Sequence, residues 1–330
     1  MHHNLSQCWG LNILLVIQRL AEYHHGMFTK YLDPKNDLAF KKIFGQEKHK
    51  NIPINFLNAV FALTDNNKIL DLEFINPTLP PEIQCQKESV VDVLVKDQEG
   101  QRYIVEMQVS KTPGFEKRAQ YYAAKAYCSQ LDEGEQYKDL KRVIFLAITS
   151  YVVFPTKKDY KSEHVILDKG SFENDLKDFS FTFVELPKFT KREDDLHTIE
   201  DQWYYFFKHA LESNQVFSSL KSNSDIQQAY TIVERFNWTK QELQYYESNM
   251  KAVLDAKCRL EGARDEAREE GMREGMREGK LQGLQEGKRE EQQRIIRALL
   301  EKSFSLNEIS ALTGYSETDI LDCSHPVLSE

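Results

Sequence analysis

Three observations predict an α/β fold built on a mixed β-sheet flanked by helices and followed by a helical C-terminal region. Apolar residues recur at helical spacing in two early segments. β-Branched residues alternate at period two on either side of a tight turn between Ser89 and Ser110. A helical stretch then separates that hairpin from a largely apolar run, Arg142 to Thr149. The order is two helices, three strands, a helix and a strand, which is the pattern of a layered α/β core.

The chain opens on an apolar run from Trp9 to Ile17 that is too short to span a bilayer and lacks a small-residue cleavage site after it. Residues 1–26 are therefore expected to be an extension outside the native protein, with Met27 the natural start. Next, Asp33-Pro34 reads as an N-cap followed by proline at the first helical position. Leu38, Ile43 and Phe44 make the apolar stripe and Gly45 the stop. Asp37 falls in the first turn, where a carboxylate suits the helix dipole. Lys41, Lys42, Lys48 and Lys50 form a basic patch, read either as a solvated face or as phosphate contacts. A second apolar helix is expected over Ile54 to Leu63 and a strand over Ile69 to Ile75.

In the hairpin, Val91, Val93 and Val95 alternate with Val90, Asp92 and Leu94; beyond the turn, Val105, Met107 and Val109 alternate with Ile104, Glu106 and Gln108. A three-residue loop, Gln98 to Gly100, puts Gly100 where a left-handed backbone is required. That register pairs Asp97 with Gln101 and, counting outward, sets Asp92 opposite Glu106, with Gln108 on the same face. Facing carboxylates repel. The pattern is explained either by a solvated outer sheet face or by a hard divalent cation, Mg²⁺ or Mn²⁺, between the two acids. Phe115 to Leu131 follows as a helix and Arg142 to Thr149 as a buried strand.

Composition sets the class. The 330 residues are 41% hydrophobic and 29% charged, which describes a soluble globular protein. A formal net charge of −9 argues against a protein that coats nucleic acid electrostatically, while leaving room for a local basic face beside a metal site. Cys8, Cys85, Cys128, Cys258 and Cys323 are scattered singly and odd in number, which reads as a reducing, cytoplasmic setting with neither a disulfide framework nor a zinc site. The histidines, including His2-His3 and His24-His25, show no zinc-ligand spacing.

An acid on the second strand with acid-x-polar on the third is the layout of the PD-(D/E)XK nuclease superfamily. Four stretches bring the resemblance closer: Asn36 to Gly45 (NDLAFKKIFG), Asn55 to Asn58 (NFLN), Asp92 with Glu106 to Gln108 (EMQ), and Lys117 to Tyr122 (KRAQYY). Together they resemble the recombination-promoting nuclease and transposase family of that superfamily. Phe183 to Lys188 (FVELPK) and Trp203 to Ala210 look like its downstream half, so the resemblance covers Leu32 to Ala210. It implies a metal-dependent DNA endonuclease with a PD-(D/E)XK-like core. Asp92 and Glu106 would hold Mg²⁺ or Mn²⁺, with the Met107 carbonyl as an extra ligand. Gln108 stands where the wider superfamily has lysine; a neutral amide can orient water or a phosphate oxygen but brings no charge. Asp37 is read either as helix-end chemistry or as a further catalytic acid. Lys41, Lys117 and Arg118 are candidate DNA contacts, Arg118 alternatively anchoring its helix on the sheet. Tyr121 and Tyr122 are read as core.

Downstream, His164 to Leu167 and Phe179 to Leu186 are strand-like runs that either extend the sheet or cover it, in a stretch whose lysines read as a solvated loop. Asp201 to Leu211 is an amphipathic helix, and Asp225 to Lys257 one or two helices. Gly271, Gly275, Gly279, Gly283 and Gly287 recur every four residues in a highly charged segment. This excludes membrane packing and admits either a solvated helix or a glycine-faced one that lets a second copy approach, giving a homodimer. Ser305 with Glu308 makes a capping box, Gly314 a stop, and Ser316 with Asp319 a further cap, in a small helical module that lacks a basic recognition helix.

The expected organisation is an extension (1–26), a nuclease-like domain (27–215), a helical region with the glycine repeat (216–292) and a small module (293–330). The expected function is a cytoplasmic endonuclease acting on DNA with little sequence specificity, in a recombination or mobile-element setting, with no membrane association. A catalytically inactive nuclease-fold assembly protein is the alternative, kept alive by the acidic net charge.

Overall fold

The computed structural model describes residues 29–79, 89–131 and 136–324. The N-terminal extension, Met27, the paired histidines, Cys8 and Cys85 lie outside the described residues. Two compact units divide the chain, the first ending at Asp255 and the second starting at Ala256.

The first unit begins with helices α1 (Asp37–Phe44) and α2 (Asn51–Val60), followed by strand β1 (Leu72–Phe74). A small ladder of β2 (Thr78–Leu79) with β3 (Ser89–Val90) precedes the hairpin β4 (Val93–Asp97) and β5 (Arg102–Gln108). Then come α3 (Phe115–Cys128), β6 (Val143–Thr149), β7 (Lys161–Val165), β8 (Phe179–Glu185), α4 (Ile199–His209) and α5 (Ser224–Val233). The main sheet is six-stranded in the order β1-β4-β5-β6-β8-β7; β5, β6 and β8 run parallel and the other pairs antiparallel. This is the expected α/β class with a mixed sheet, and the two downstream strands extend the sheet rather than cover it.

The hairpin has the register that its turn chemistry demands. Val93 faces Val105 and Lys96 faces Arg102, Gly100 adopts φ +83°, and Asp97 receives the Glu99 and Gln101 N–H groups on its carboxylate, both at 2.9 Å. The period-two alternation then sorts side chains to two faces. Val93, Val95, Val105 and Met107 join Ile144, Leu146 and Ile148 under α1, α2, α4 and α5, where Phe40, Phe44, Phe56, Trp203 and Phe207 interlock. Burying each such side chain contributes roughly 1.5–3 kcal/mol. Leu94, Ile104, Phe145 and Ala147 pack on the opposite face against Phe115, Ala119, Ala123 and Ala126 of α3. The alanines let α3 lie close on the sheet.

The first helix departs from expectation. Asn36 caps it, accepting the Leu38 N–H at 3.0 Å, while Asp33 organises a preceding turn that contains Pro34. A polar side chain three residues closer to the apolar stripe takes an orphan donor, so the helix starts after the proline. Gly45 ends it as expected; a Cβ there would stand 2.8 Å from the Lys41 carbonyl oxygen. The second helix starts three residues before the expected Ile54, with Pro53 in its first turn, where no N–H is missed. The lysine-rich stretch after Tyr151 is not all loop: Lys161 lies on β7, within 3.2 Å of Glu200 and bonded to the Val60 carbonyl. Tyr121 is 44% exposed, so it is not a core residue.

Helix α6 (Lys240–Glu301) lies in the first unit as far as Asp255. In the second unit its later residues carry the glycine repeat, and no atom outside the helix comes within 4 Å of a Cβ built on Gly271, Gly275, Gly279, Gly283 or Gly287. Helices α7 (Leu306–Thr313) and α8 (Glu317–Ser324) fold back so that Ile309 and Ile320 bury against Ile296. The Ser305–Glu308 capping box, a left-handed Gly314 and the Ser316–Asp319 bonds are all present. No helix among the described residues is long and apolar enough to cross a membrane.

Candidate active site

The ladder between β4 and β5 opens at its last pair. Asp92, immediately before β4, falls opposite Glu106 one step beyond the last ladder pair, Val93 with Val105, and its N–H donates to the Glu106 carboxylate (3.2 Å to Oε1). In return the Met107 N–H donates to Asp92 Oδ2 at 2.8 Å. Since N–H and C=O of one strand residue point to the same edge, the Met107 carbonyl also faces the edge from which the hairpin partner has turned away. The site thus lies at the carboxyl end of β5, where its ladder to β4 opens.

Glu106 is buried, at 3% exposure, and Asp92 is half-buried, with a side chain 17% accessible. They lie on the sheet face covered by α3, so the solvated-face explanation of the facing carboxylates does not hold. Burial pushes the Asp92 carboxyl up to about 6, with the Asp37 charge adding to the effect and the Met107 N–H, Lys41 and Arg118 opposing it. Burial and the Asp92 charge push Glu106 up to about 8 against the Asp92 N–H, Arg118 and Gln108.

Gln108 is held at both ends. Its Nε2 donates to Glu106 Oε2 at 2.9 Å and its Oε1 accepts from Arg118 Nη2 at 2.7 Å. Arg118 comes from the first turns of α3, with its guanidinium over the Phe115 ring at 5.0 Å and the Tyr122 ring at 5.9 Å. It therefore does anchor the helix to the sheet, through the very residue that follows the acids. From the other side, Lys41 of α1 places Nζ 2.7 Å from Asp37 and 3.9 Å from Asp92. The fold brings together Asp37, Lys41, Asp92, Glu106, Met107, Gln108 and Arg118. Lys117 is exposed one residue before Arg118, and no described contact ties it to this group.

The family model for PD-(D/E)XK nuclease family transposases matches residues 34–263. The chain belongs to this family. Comparison with curated proteins and with solved structures gave no significant match. For a PD-(D/E)XK nuclease family transposase the match is longer than the resemblance read from Leu32 to Ala210, since it takes in α5 and the start of α6. The family supports a nuclease- or transposase-like function, with DNA as the substrate that a nuclease implies.

Among the described residues no three or more Asp, Glu, His or Cys side chains converge on one point. The donor set nevertheless suits a hard cation that is held by one or two carboxylates and keeps several waters, as Mg²⁺ does. Asp92 Oδ1 receives no hydrogen bond from a neutral donor among the described contacts, and two like-charged facing carboxylates gain from any cation between them.

Sequence reasoning overlooked that the basic patch is largely spent on ion pairs. Lys42 pairs with Glu242 at 2.6 Å and lies over the Trp238 ring, and Lys50 pairs with Asp71 at 2.6 Å. Glu242 and Asp71 lie far along the chain and leave no local signal, whereas Lys41 with Asp37 and Lys50 with Glu47 are pairs within one helical turn. Tyr122 packs against the core on the α3 side, as expected of it, and its phenol is raised by burial and by the Glu106 and Asp92 charges against Arg118.

Proposed function

We propose that this protein is a divalent-metal-dependent DNA endonuclease that hydrolyses phosphodiester bonds with little sequence specificity. The observation that carries the reading is the facing Asp92–Glu106 carboxylate pair where the β4–β5 ladder ends, whose mutual repulsion is offset only in part by the Lys41 ammonium 3.9 Å from Asp92. Asp92, Glu106 and the Met107 carbonyl are the groups that would hold Mg²⁺ or Mn²⁺. When bound, the metal polarises the scissile phosphate and lowers the pKa of a water.

The chain's own residues set the rest. Gln108, fixed between Glu106 and Arg118, retains one amide hydrogen with which to orient water or a phosphate oxygen. Arg118 supplies the nearby fixed positive charge on the α3 side, and Lys41 on the α1 side. Asp37 holds Lys41. Lys117, exposed at the start of α3, is suited to a backbone contact on the DNA. Such contacts read phosphates and not bases, which accounts for the low specificity proposed. Recombination in a mobile-element setting, a cytoplasmic location and a homodimer formed through the C-terminal helical region complete the reading; two sites in a dimer would serve both strands.

The test is plasmid nicking and linearisation with Mg²⁺ or Mn²⁺, comparing wild type with Asp92→Asn and Glu106→Gln. Cleavage that requires the metal and falls by a factor of about 10³ or more in both variants supports the reading. Absence of cleavage by folded, DNA-binding wild-type protein would favour the inactive assembly role, the reading to which the net charge of −9 and the ion-paired lysines lend weight.

A further inference from the structure

The oxygens of the two facing acids are not equivalent. Glu106 Oε1 accepts the Asp92 N–H, Glu106 Oε2 accepts the Gln108 amide, and Asp92 Oδ2 accepts the Met107 N–H. Asp92 Oδ1 instead faces an ammonium, that of Lys41 at 3.9 Å. That ammonium is bound more closely to Asp37, one helical turn earlier, at 2.7 Å. Asp37 is the more exposed of its two partners, with a side chain 45% accessible against 17% for Asp92. Lys41 therefore bridges an outer, wet carboxylate and an inner, half-buried one. Asp37, Asp92 and Glu106 stabilise its charge there against the cost of burial.

We propose that Lys41 is a tethered counter-ion: it holds the open oxygen of Asp92 in the metal-free protein, yields it when a divalent cation binds, and remains anchored by Asp37 where its ammonium meets the substrate phosphate. The inference rests on the metal-dependent reading given above. Two cations cannot share one carboxylate oxygen without repulsion, and at a separation of a few ångströms that repulsion exceeds thermal energy even in a watery dielectric. A flexible four-carbon stem bearing a point charge can move between partners at little cost, whereas a planar guanidinium is less suited to the exchange. The arrangement keeps the acid pair from standing uncompensated when no metal is present. It also keeps a positive charge beside the substrate once metal is present, although the residue following the metal-binding acids, Gln108, is neutral.

The experiment measures Mn²⁺ binding by titration calorimetry and DNA cleavage at saturating Mn²⁺ for wild type, Lys41→Met and Lys41→Arg, at a pH near 9 so that protons do not compete for the acids. Thermal melts verify folding. Lys41→Met is expected to bind Mn²⁺ about fivefold or more tightly, because the competing charge is gone, yet to cleave at least tenfold more slowly. Lys41→Arg, which retains the charge on a group less able to yield the oxygen, is expected to bind Mn²⁺ no more tightly than wild type. The opposite signs of affinity and rate separate this role from a structural one, in which both fall. Unchanged or weaker Mn²⁺ binding by folded Lys41→Met overturns the inference, as does cleavage at the wild-type rate. Wild-type protein that binds no Mn²⁺, or Asp92→Asn that binds it equally well, removes the metal-dependent reading itself.

Discussion

Glu106 and Glu185 invite comparison because they occupy like places and face opposite fates. Each lies at the carboxyl end of a strand in the parallel part of the sheet, and each is almost wholly buried, at 3% and 0% exposure. Glu185 is satisfied on both oxygens: Oε1 accepts the Val153 and Phe154 N–H groups at 2.5 and 3.0 Å, and Oε2 meets the Lys188 ammonium at 2.6 Å. Lys188 in turn donates to the Phe154 carbonyl, so the cluster pins the segment after β6. Glu106 instead faces a second carboxylate, and its donors are one backbone N–H and one neutral amide. A buried acid with a cation and two N–H groups is architecture. A buried acid held against another acid is a charge imbalance that the fold tolerates, and such imbalances gather at functional sites.

Substitution should pull the two apart most strongly. Glu106→Gln is expected to abolish metal-dependent cleavage, a loss of about 10³-fold or more, while the metal-free protein melts no lower than wild type. Glu185→Gln strips a buried ammonium of its partner, which costs on the order of 3–5 kcal/mol, and should reduce cleavage only in proportion to the protein left folded. Thermal melts alongside cleavage assays check both. A Glu106→Gln protein that unfolds as readily as Glu185→Gln would erase the distinction.

The pH dependence sharpens the same contrast. Asp92 and Glu106 have carboxyls raised above their unfolded values by burial, Glu106 also by the Asp92 charge. A raised carboxyl contributes stability that is present below the unfolded pKa and is lost as pH rises through the folded one. The metal-free protein should therefore lose stability as pH climbs from about 4 through about 6 and on past about 8, by an amount on the order of a few kcal/mol. Glu106→Gln should flatten the upper part of that slope. Mn²⁺ should raise the melting temperature most at the alkaline end, because it binds the ionised pair. Melts from pH 5 to 9 with and without Mn²⁺ read all three effects.

Much of this site was legible because it depends on local chemistry. The Gln98–Gly100 turn and the alternation of Val93 to Val95 with Ile104 and Val105 specify a register, and the register alone puts Asp92 against Glu106. The helix start was not legible, since Asp33 and Asn36 are both good caps and only packing of the stripe decides between them. The ion pairs of Lys42 and Lys50 were hidden for a different reason: Glu242 and Asp71 reach them only through tertiary structure. The asparagines of the NFLN motif show the same limit. Asn55 accepts the Trp203 indole N–H at 2.8 Å, and Asn58 bonds both the N–H and the carbonyl of Ile69 at 2.9 Å. These are supports for the α2 packing, and a motif read as text does not separate such residues from those that do chemistry.

The smallest effect concerns the second unit, where imbalance is steric and not electrostatic. A glycine inside a helix costs about 1 kcal/mol relative to alanine, and a Cβ on Gly275 or Gly279 would meet nothing within 4 Å. In a solvated helix, Gly275→Ala and Gly279→Ala should each raise helicity and stability by up to about 1 kcal/mol and leave the mass of the species unchanged. In the proposed homodimer the glycines instead admit a second backbone, and the added methyls would hold it off. The alanine variants should then gain helix content while shifting toward monomer, with the dissociation constant rising about tenfold for each roughly 1.4 kcal/mol of lost packing. Light scattering across a concentration series, read beside circular dichroism, separates the two. A gain in helix with no change in mass would leave the repeat as an expensive solvated helix, and the dimer without its stated interface.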